Sequence, residues 1–365
     1  MSSPQVSSEM QAGPIIRERE PVNFEYPFDH LSDGMGIQDR LTPNDLFYIR
    51  SHFKAPKLEA ATHIVAIDGC VQTPLTLSLA ELKKMPAETC TATLECAGNG
   101  RVFLTPAEEG AQWQLGAVAT AEWTGVPLAA LLERVGIREN AVELIFEGAG
   151  SGKAKEKPIP PGEIVYARSI PITKAHDVLL AYQMNGEDLP VDHGFPLRAI
   201  VPGYFGMASV KWLTSIRAVS APFQGYWQTS DYAFWEWQDG LPARKPLWAM
   251  KVKSSIARPR TREVVPTGQT YTVFGAAWTG EKEILSVEVS TDDGTTWSAA
   301  KIIDEPIYGV WRRWKYDWTV PVEPGRHILK SRATDSAGSI QPVEHDKNYG
   351  SYVIHHSVGI EVVTK

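Results

Sequence analysis

The chain has 365 residues, 43% of them hydrophobic and 22% charged, an ordinary globular balance with length enough for two domains. A net charge of -7 leaves no basic surplus to neutralise phosphates, which excludes a general nucleic-acid binder but leaves room for a local anion pocket. Three cysteines without a CxxC pair exclude a zinc ribbon, an iron–sulfur run and a CxxCH haem attachment. An odd count is also a poor disulfide framework. Cys90 and Cys96 are near enough in sequence to pair, and a reduced intracellular state fits at least as well. The opening MSSPQVSSEMQAGP has neither an apolar core of signal-peptide length nor a twin arginine. No later stretch reaches the roughly 18 apolar residues of a membrane span. A soluble protein of the cytoplasm is expected, or of the periplasm if the chain is a processed form.

Residues 1–25 are polar, carry the charge run over 17–20 and read as an N-terminal arm. At residues 41–47, Thr42 suits an N-cap and Pro43 the first helical position, predicting a short helix. Phe47-Tyr48-Ile49 then leaves extended through Arg50, Ser51 and His52. Residues 63–67 predict a strand ending at Asp68-Gly69, and Ser78 with Glu81 forms a capping box for a short helix. A strand over 90–94 delivers Cys96 into a turn where Gly98 and Gly100 permit positive φ. Residues 127–135 give the clearest helix: Leu128, Leu131, Leu132 and Val135 share a face, Pro127 opens it and Gly136 closes it.

A strand over 142–147 precedes a loop over 148–162 rich in glycine, lysine and proline. The run over 177–184 is mostly apolar and ends at the hairpin signal Asn185-Gly186. A buried strand over 197–201, a loop at Gly203, Gly206 and Ser209, and a strand over 210–219 follow. Residues 226–237 are dense in aromatics, and from about 250 the pattern is all β. Leu285, Val287 and Val289 alternate with Ser286, Glu288 and Ser290; Asp293-Gly294 turns the chain, and Thr296-Trp297 begins the return. Further strands fall over 311–320 and 327–334. This spacing predicts an immunoglobulin-like sandwich over 251–365, after a larger domain over 26–250.

Cys96 has two readings. It is a buried structural cysteine, or it is a thiolate ligand or nucleophile, exposed by the glycines and lowered in pKa by Arg101. A soft thiolate suits a transition metal, and no other cysteine sits at ligand spacing, so the remaining ligands would come from a cofactor. His193, Arg198 and Lys211 read either as a loop histidine with solvated charges or as an anion pocket. Arg50, Arg101 and Tyr232 lie far apart in sequence; singly each is a surface arginine or a half-buried tyrosine. Together, two guanidiniums and a phenol suit a small oxyanion. The C-terminal half alone would also permit a β-rich binding protein with no redox role.

Several of these stretches resemble the sulfite oxidase family of molybdenum enzymes. TLECAGNGR, which contains Cys96, resembles its cysteine motif, and Phe47-Tyr48-Ile49-Arg50-Ser51-His52 its arginine–histidine segment. Residues 181–186, Leu189-Pro190 and residues 192–198 are similar to its longest signature; Val210-Lys211-Trp212-Leu213 follows at the family's distance, then Trp227-Gln228 and Asp231-Tyr232. The resemblance runs from about residue 40 to the end. It implies an α+β architecture, with a mixed, β-rich molybdopterin-binding domain followed by an immunoglobulin-like dimerisation domain. It implies that Cys96 ligates molybdenum beside a pyranopterin dithiolene. Tyr48, Arg50, Ser51, His52, Gly150, His193, Arg198, Ser209, Val210 and Lys211 would hold the pterin and its phosphate. Arg50, Arg101, Trp113 and Tyr232 would line the oxyanion pocket.

The implied reaction is oxidation of sulfite to sulfate by oxygen-atom transfer in a homodimer. Electrons would pass to an external acceptor such as a cytochrome c, with no haem or iron–sulfur cluster in the chain. The alternative is the same cofactor acting on another substrate, such as a sulfoxide. Two departures bear on this. Gly150 stands where an acid is expected after Phe146-Glu147-Gly148. Residues 346–350 supply no arginine where the family often has one, which leaves Lys347 as the substitute and a less positive pocket.

Overall fold

The computed structural model describes residues 14–29, 40–155 and 158–365. Two five-stranded sheets build the first domain. One runs in the order Glu187–Asp188, Leu179–Met184, Val118–Pro127, Glu88–Glu95, with Arg198–Ile200 also paired to Leu179–Met184; every pairing in it is antiparallel. The other runs Leu75–Ser78, Ile64–Gly69, Leu213–Val219, Glu143–Gly152, Ile164–Pro171. Its one parallel pair, Ile64–Gly69 beside Leu213–Val219, brings together strands separated by most of the domain's sequence. The fold is thus mixed α+β and rich in strands.

Alternation of side chains along each strand divides the core. Val65 and Ile67 meet Leu144, Phe146 and Ile216, and Leu180 and Tyr182 come to them from the other sheet. Leu128, Leu131 and Val135 of the helix Leu128–Val135 seal this layer, the face that the sequence pattern predicts. On the opposite face of the first sheet, Ala92, Leu94, Ala119, Ala121 and Trp123 form a second cluster that ends at Cys96. The strand Glu88–Glu95 therefore carries the cysteine to the end of a packed layer.

The capping box at Ser78 and Glu81 is present. So is the Asn185-Gly186 turn, with φ of 50° and 80°. Residues 41–47 differ from expectation: Leu46 and Phe47 both donate to the Pro43 carbonyl at 3.0 Å, a single turn and no helix. Pairing competes with the next turn, because Ile49 is bridged to Phe24 in extended chain. The expected loop after residue 147 is strand as far as Gly152, held by Ile164–Pro171.

Of the expected arm, residues 1–13 lie outside the described residues. Ile15–Arg19 and Val22–Glu25 form an antiparallel hairpin. It docks through the buried Glu25 carboxylate, which accepts from the N–H groups of Gln114 at 2.8 Å and Gly116 at 2.9 Å and from Arg17 Nε at 2.9 Å.

The C-terminal region holds two sheets. One is Lys253–Arg258, Thr270–Trp278, Arg312–Thr319, Lys301–Ile302; the other is Val264–Val265, Ile360–Thr364, Gly325–Asp335, Ile284–Ser290, Ser298–Ala299. Val273 and Trp314 of the first share a core with Val287, Leu329 and Val362 of the second. The expected alternation of Leu285 with Val287 and Val289 fails at its first member. A bulge between Ile284 and Ser286 turns Ile284 inward at 2% exposure and leaves Leu285 at 60%. A further cluster joins the two regions, with Ala97 and Tyr232 packed among Ala276, Trp278 and Val353. The cysteine loop lies at this junction.

Candidate active site

A cavity lies where the strand Glu88–Glu95 delivers Cys96. Of the residues expected at the site, Tyr48, Arg50, Ser51, His52, Cys96, Gly150, His193, Arg198, Ser209, Lys211 and Tyr232 line it. Arg101, Trp113 and Val210 lie outside its lining.

Cys96 is only 7% exposed, and all three cysteines are free. Its N–H donates to the Ala117 carbonyl and its carbonyl accepts from the Asn99 N–H, both at 2.9 Å. Of the two readings of Cys96, the exposed thiol with a lowered pKa is the one corrected: burial pushes the thiol up, and the Arg50 and Arg101 guanidiniums only partly offset it. The glycines explain why. Gly100 takes the positive φ that the turn needs, 98°. Gly98 does not; a Cβ there would stand 2.4 Å from the Arg101 guanidinium, so the missing side chain admits an arginine rather than solvent.

Arg101 is itself buried. It donates from Nε to the Ser351 carbonyl at 2.9 Å and through its guanidinium to the Ala111 carbonyl at 2.7 Å. Trp113 is fully buried in the cluster that contains Cys96, and its indole N–H has no hydrogen-bond partner.

Part of the same lining is a cationic cradle. Lys211 donates to Ser51 Oγ at 2.6 Å and to the Asp192 carbonyl at 2.8 Å. Arg198 donates to the carbonyls of His193 at 2.7 Å and Ser209 at 3.0 Å, with its guanidinium 4.8 Å from the Trp123 ring centre. Burial, reinforced by the neighbouring Arg198 charge, pushes Lys211 down to about 7. Burial likewise pushes Arg198 down to about 10 and His193 down to about 3, so His193 is neutral. Among the described residues, no carboxylate is bonded to either of these cations. A group carrying a phosphate would relieve their repulsion.

Near Cys96 the hydrogen bonds fix a tautomer. A guanidinium NH2 of Arg50 stands 3.0 Å from His52 Nδ1, and His52 Nε2 stands 2.8 Å from the Tyr232 hydroxyl. A guanidinium only donates, so Nδ1 accepts and the imidazole carries its proton on Nε2. Nε2–H then donates to the Tyr232 oxygen. The phenol proton remains available to a group inside the cavity that Tyr232 lines.

Some contributors escape sequence reasoning. Tyr166 stacks on His52 at 5.6 Å and 18°, and Trp227 approaches the same ring to 4.1 Å. Gly206 leaves space for Tyr48, whose hydroxyl would be 2.7 Å from a Cβ there. Gly150 sits against the Trp212 ring, 3.3 Å from a Cβ built on it. Lys347 is exposed on a 3-10 turn and is not part of the lining. Among the described residues, no group of three or more histidine, cysteine or acidic side chains could hold a metal ion. The donor set lining the cavity is thus one soft thiol and a group of buried cations. That set fits a metal carried by an anionic cofactor.

Residues 52–227 match the model of the oxidoreductase molybdopterin binding domain, and residues 244–362 that of the Mo-co oxidoreductase dimerisation domain. Sulfite oxidase of Gallus gallus is 35% identical over 347 residues, covering 90% of this chain and 72% of that protein. The chain belongs to the sulfite oxidase family. Within this family, mitochondrial sulfite oxidase of Homo sapiens is 34% identical over 349 residues, and the chain spans 61% of its length. The crystal structure of sulfane dehydrogenase SoxCD from Paracoccus pantotrophus superposes with a TM-score of 0.78 at 27% identity, over 94% of this chain and 84% of that one. As a family member the protein is a molybdopterin-cofactor oxidoreductase; most of its cavity lining falls within the matched binding domain, with residues 47–51 and Tyr232 just outside it. Among the described residues no helix is long and apolar enough to cross a membrane.

Proposed function

We propose that the protein oxidises sulfite to sulfate by oxygen-atom transfer and passes two electrons, one at a time, to an external acceptor such as a cytochrome c. The observation that carries this reading is the shared cavity: the Cys96 thiol and the Arg50–His52–Tyr232 array line the same space as the cationic cradle. The molybdenum cofactor supplies the two-electron couple and the transferable oxygen when bound. Lys211, Arg198 and the groups around them hold its phosphate, and the Cys96 thiolate is its protein ligand. Arg50 offsets the charge of the arriving oxyanion, and the Tyr232 hydroxyl donates to it in a site walled from water, where such bonds are worth most. The balance is sulfite plus water to sulfate, two protons and two electrons.

The C-terminal sheets serve as an immunoglobulin-like dimerisation unit in this reading, and the enzyme works as a homodimer in the cytoplasm. A second reading keeps the cofactor and changes the sulfur substrate. It is favoured by the placement of Arg101 and Lys347 outside the cavity lining. Molybdenum analysis with stopped-flow spectroscopy separates the two. Sulfite is expected to bleach the oxidised protein, and no bleaching at millimolar sulfite removes the first reading in favour of the second.

A further inference from the structure

Tyr352 comes from the segment that follows the C-terminal sheets' long strand Gly325–Asp335. Its hydroxyl donates to Asp231 Oδ1 at 2.7 Å. Asp231 closes the π-helical turn Tyr226–Asp231, immediately before Tyr232. The Tyr352 ring stands 5.0 Å from the Tyr232 ring, tilted by 38°. The Arg101 guanidinium sits 5.2 Å from the centre of the same Tyr352 ring.

The neighbours on either side extend the grip. The Ser351 carbonyl accepts from Arg101 Nε at 2.9 Å, and the Val353 N–H donates to the Ala97 carbonyl at 2.7 Å, next to Cys96. One segment of the C-terminal region therefore touches Arg101, which stands behind the cavity lining, the Tyr232 phenol and the Cys96 loop.

We propose that Tyr352 is a positioning residue of the oxyanion site, which fixes Arg101 behind the Cys96 loop and sets the orientation of Tyr232. The inference rests on the oxyanion-oxidising reading above. Two interactions make it physical. The ring face attracts the guanidinium, and this attraction is strongest where water is excluded. The hydroxyl is committed to Asp231, so the ring cannot turn without breaking a buried bond. Without the ring, Arg101 keeps its backbone acceptors but loses the surface that holds its plane, and its charge no longer sits at a fixed distance from the bound anion.

The test compares Tyr352→Phe and Tyr352→Leu in the molybdenum-loaded enzyme. The readouts are the dissociation constant of inorganic sulfate, KM and kcat for sulfite, molybdenum content and thermal midpoint. Phe keeps the ring but releases it from Asp231, so both constants should weaken by about threefold, less than in the ring-less variant. Leu removes it, and sulfate affinity should weaken by about tenfold, the loss of a desolvated cation–π contact. KM should rise in parallel at full molybdenum content, with kcat changed much less. If the Leu variant does not fold, Tyr352→Met, which also lacks the ring, carries the same expectation.

Unchanged sulfate and sulfite constants in a fully loaded ring-less variant overturn the proposal and leave the function untouched. A loss that merely tracks molybdenum content or thermal midpoint assigns Tyr352 to packing and overturns it too. A wild-type enzyme that neither binds sulfate nor is reduced by sulfite defeats the functional reading itself.

Discussion

Lys253 Nζ lies 2.8 Å from Glu95 Oε1, and the pair joins the two domains one residue before Cys96. The other carboxylate oxygen accepts from Trp278 Nε1 at 2.8 Å. Lys253 and Trp278 are direct partners in the antiparallel register, so one end of a C-terminal strand pair presents both donors. Asn99 Nδ2 completes the carboxylate's shell at 3.1 Å, and Lys253 also donates to the Asn99 carbonyl at 3.0 Å. The cysteine turn is thus held from outside its own domain.

Removal of the ammonium tests this clamp. Both side chains are almost wholly buried, at 2% and 3% exposure, so Lys253→Met strands a carboxylate in a dry site. The expected cost is about 3–5 kcal/mol in urea unfolding. Lys253→Met combined with Glu95→Gln removes both charges and should recover most of that loss. A single variant as stable as wild type would show that the pair contributes nothing to joining the domains.

The Arg50–His52–Tyr232 chain leads to a second prediction. Tyr232→Phe removes one hydroxyl whose hydrogen-bond partner is His52 and leaves a ring that is 3% exposed in place. Folding should be little affected. Loss of a preorganised donor to the oxyanion should lower kcat/KM for sulfite about 100-fold. His52→Gln, which cannot hold the same acceptor–donor alignment, should give a smaller loss in the same direction. Steady-state kinetics at saturating acceptor decide it, and a Phe variant with wild-type kcat/KM removes the hydroxyl from the reaction.

Much of the fold is legible in the sequence because its signals are local. Capping at Ser78, the face of Leu128–Val135 and the turns at Asn185-Gly186 and Asp293-Gly294 each depend on residues within one or two turns of chain. What the sequence hides is long-range. Extended pairing of Ile49 with Phe24 overrides the helix start at Pro43. A bulge reverses Leu285, and a single-residue shift of that kind has no signature in an alternating run. At the site, most of the residues that line the cavity sit in sequence motifs, whereas Tyr352, Lys253 and Trp278 support it from the C-terminal region through Asp231, Glu95 and Asn99. The choice between the two readings of Cys96 is hidden for a related reason: Gly98 looks like a hinge, but the space of its missing Cβ is filled by Arg101.

Lys211 gives a pH dependence with a definite sign. Burial and Arg198 lower it from 10.5 to about 7, with Asp192 opposing and Arg50 reinforcing the shift. In cofactor-free protein, binding of a fully ionised anion such as sulfate needs the protonated form. Affinity should fall as pH rises through about 7. Between about 7 and 10.5 the unfolded chain holds a proton at this group that the folded chain has released, so this group's effect on stability rises with pH across that window. Lys211→Met should flatten both trends. Sulfate titrations and urea midpoints at stepped pH read them, and a wild-type affinity independent of pH would place Lys211 outside the anion cradle.

Cys96→Ser isolates the metal ligand from the cradle. The residue is buried in a turn held by backbone bonds to Ala117 and Asn99, which a serine leaves intact, so the variant should fold with wild-type circular dichroism. Oxygen is a harder donor than sulfur and a serine hydroxyl does not ionise near neutrality, so the site loses its soft anionic ligand. Turnover should fall below about 1% of wild type, a loss of roughly 3 kcal/mol or more in the barrier. The pterin should still be found on the protein, because the substitution leaves Arg198 and Lys211 of the cavity lining unchanged. Arg198→Ala should show the reverse emphasis, with pterin content falling first. Sulfite oxidation that survives in the serine variant at normal pterin content would remove Cys96 from the ligand position.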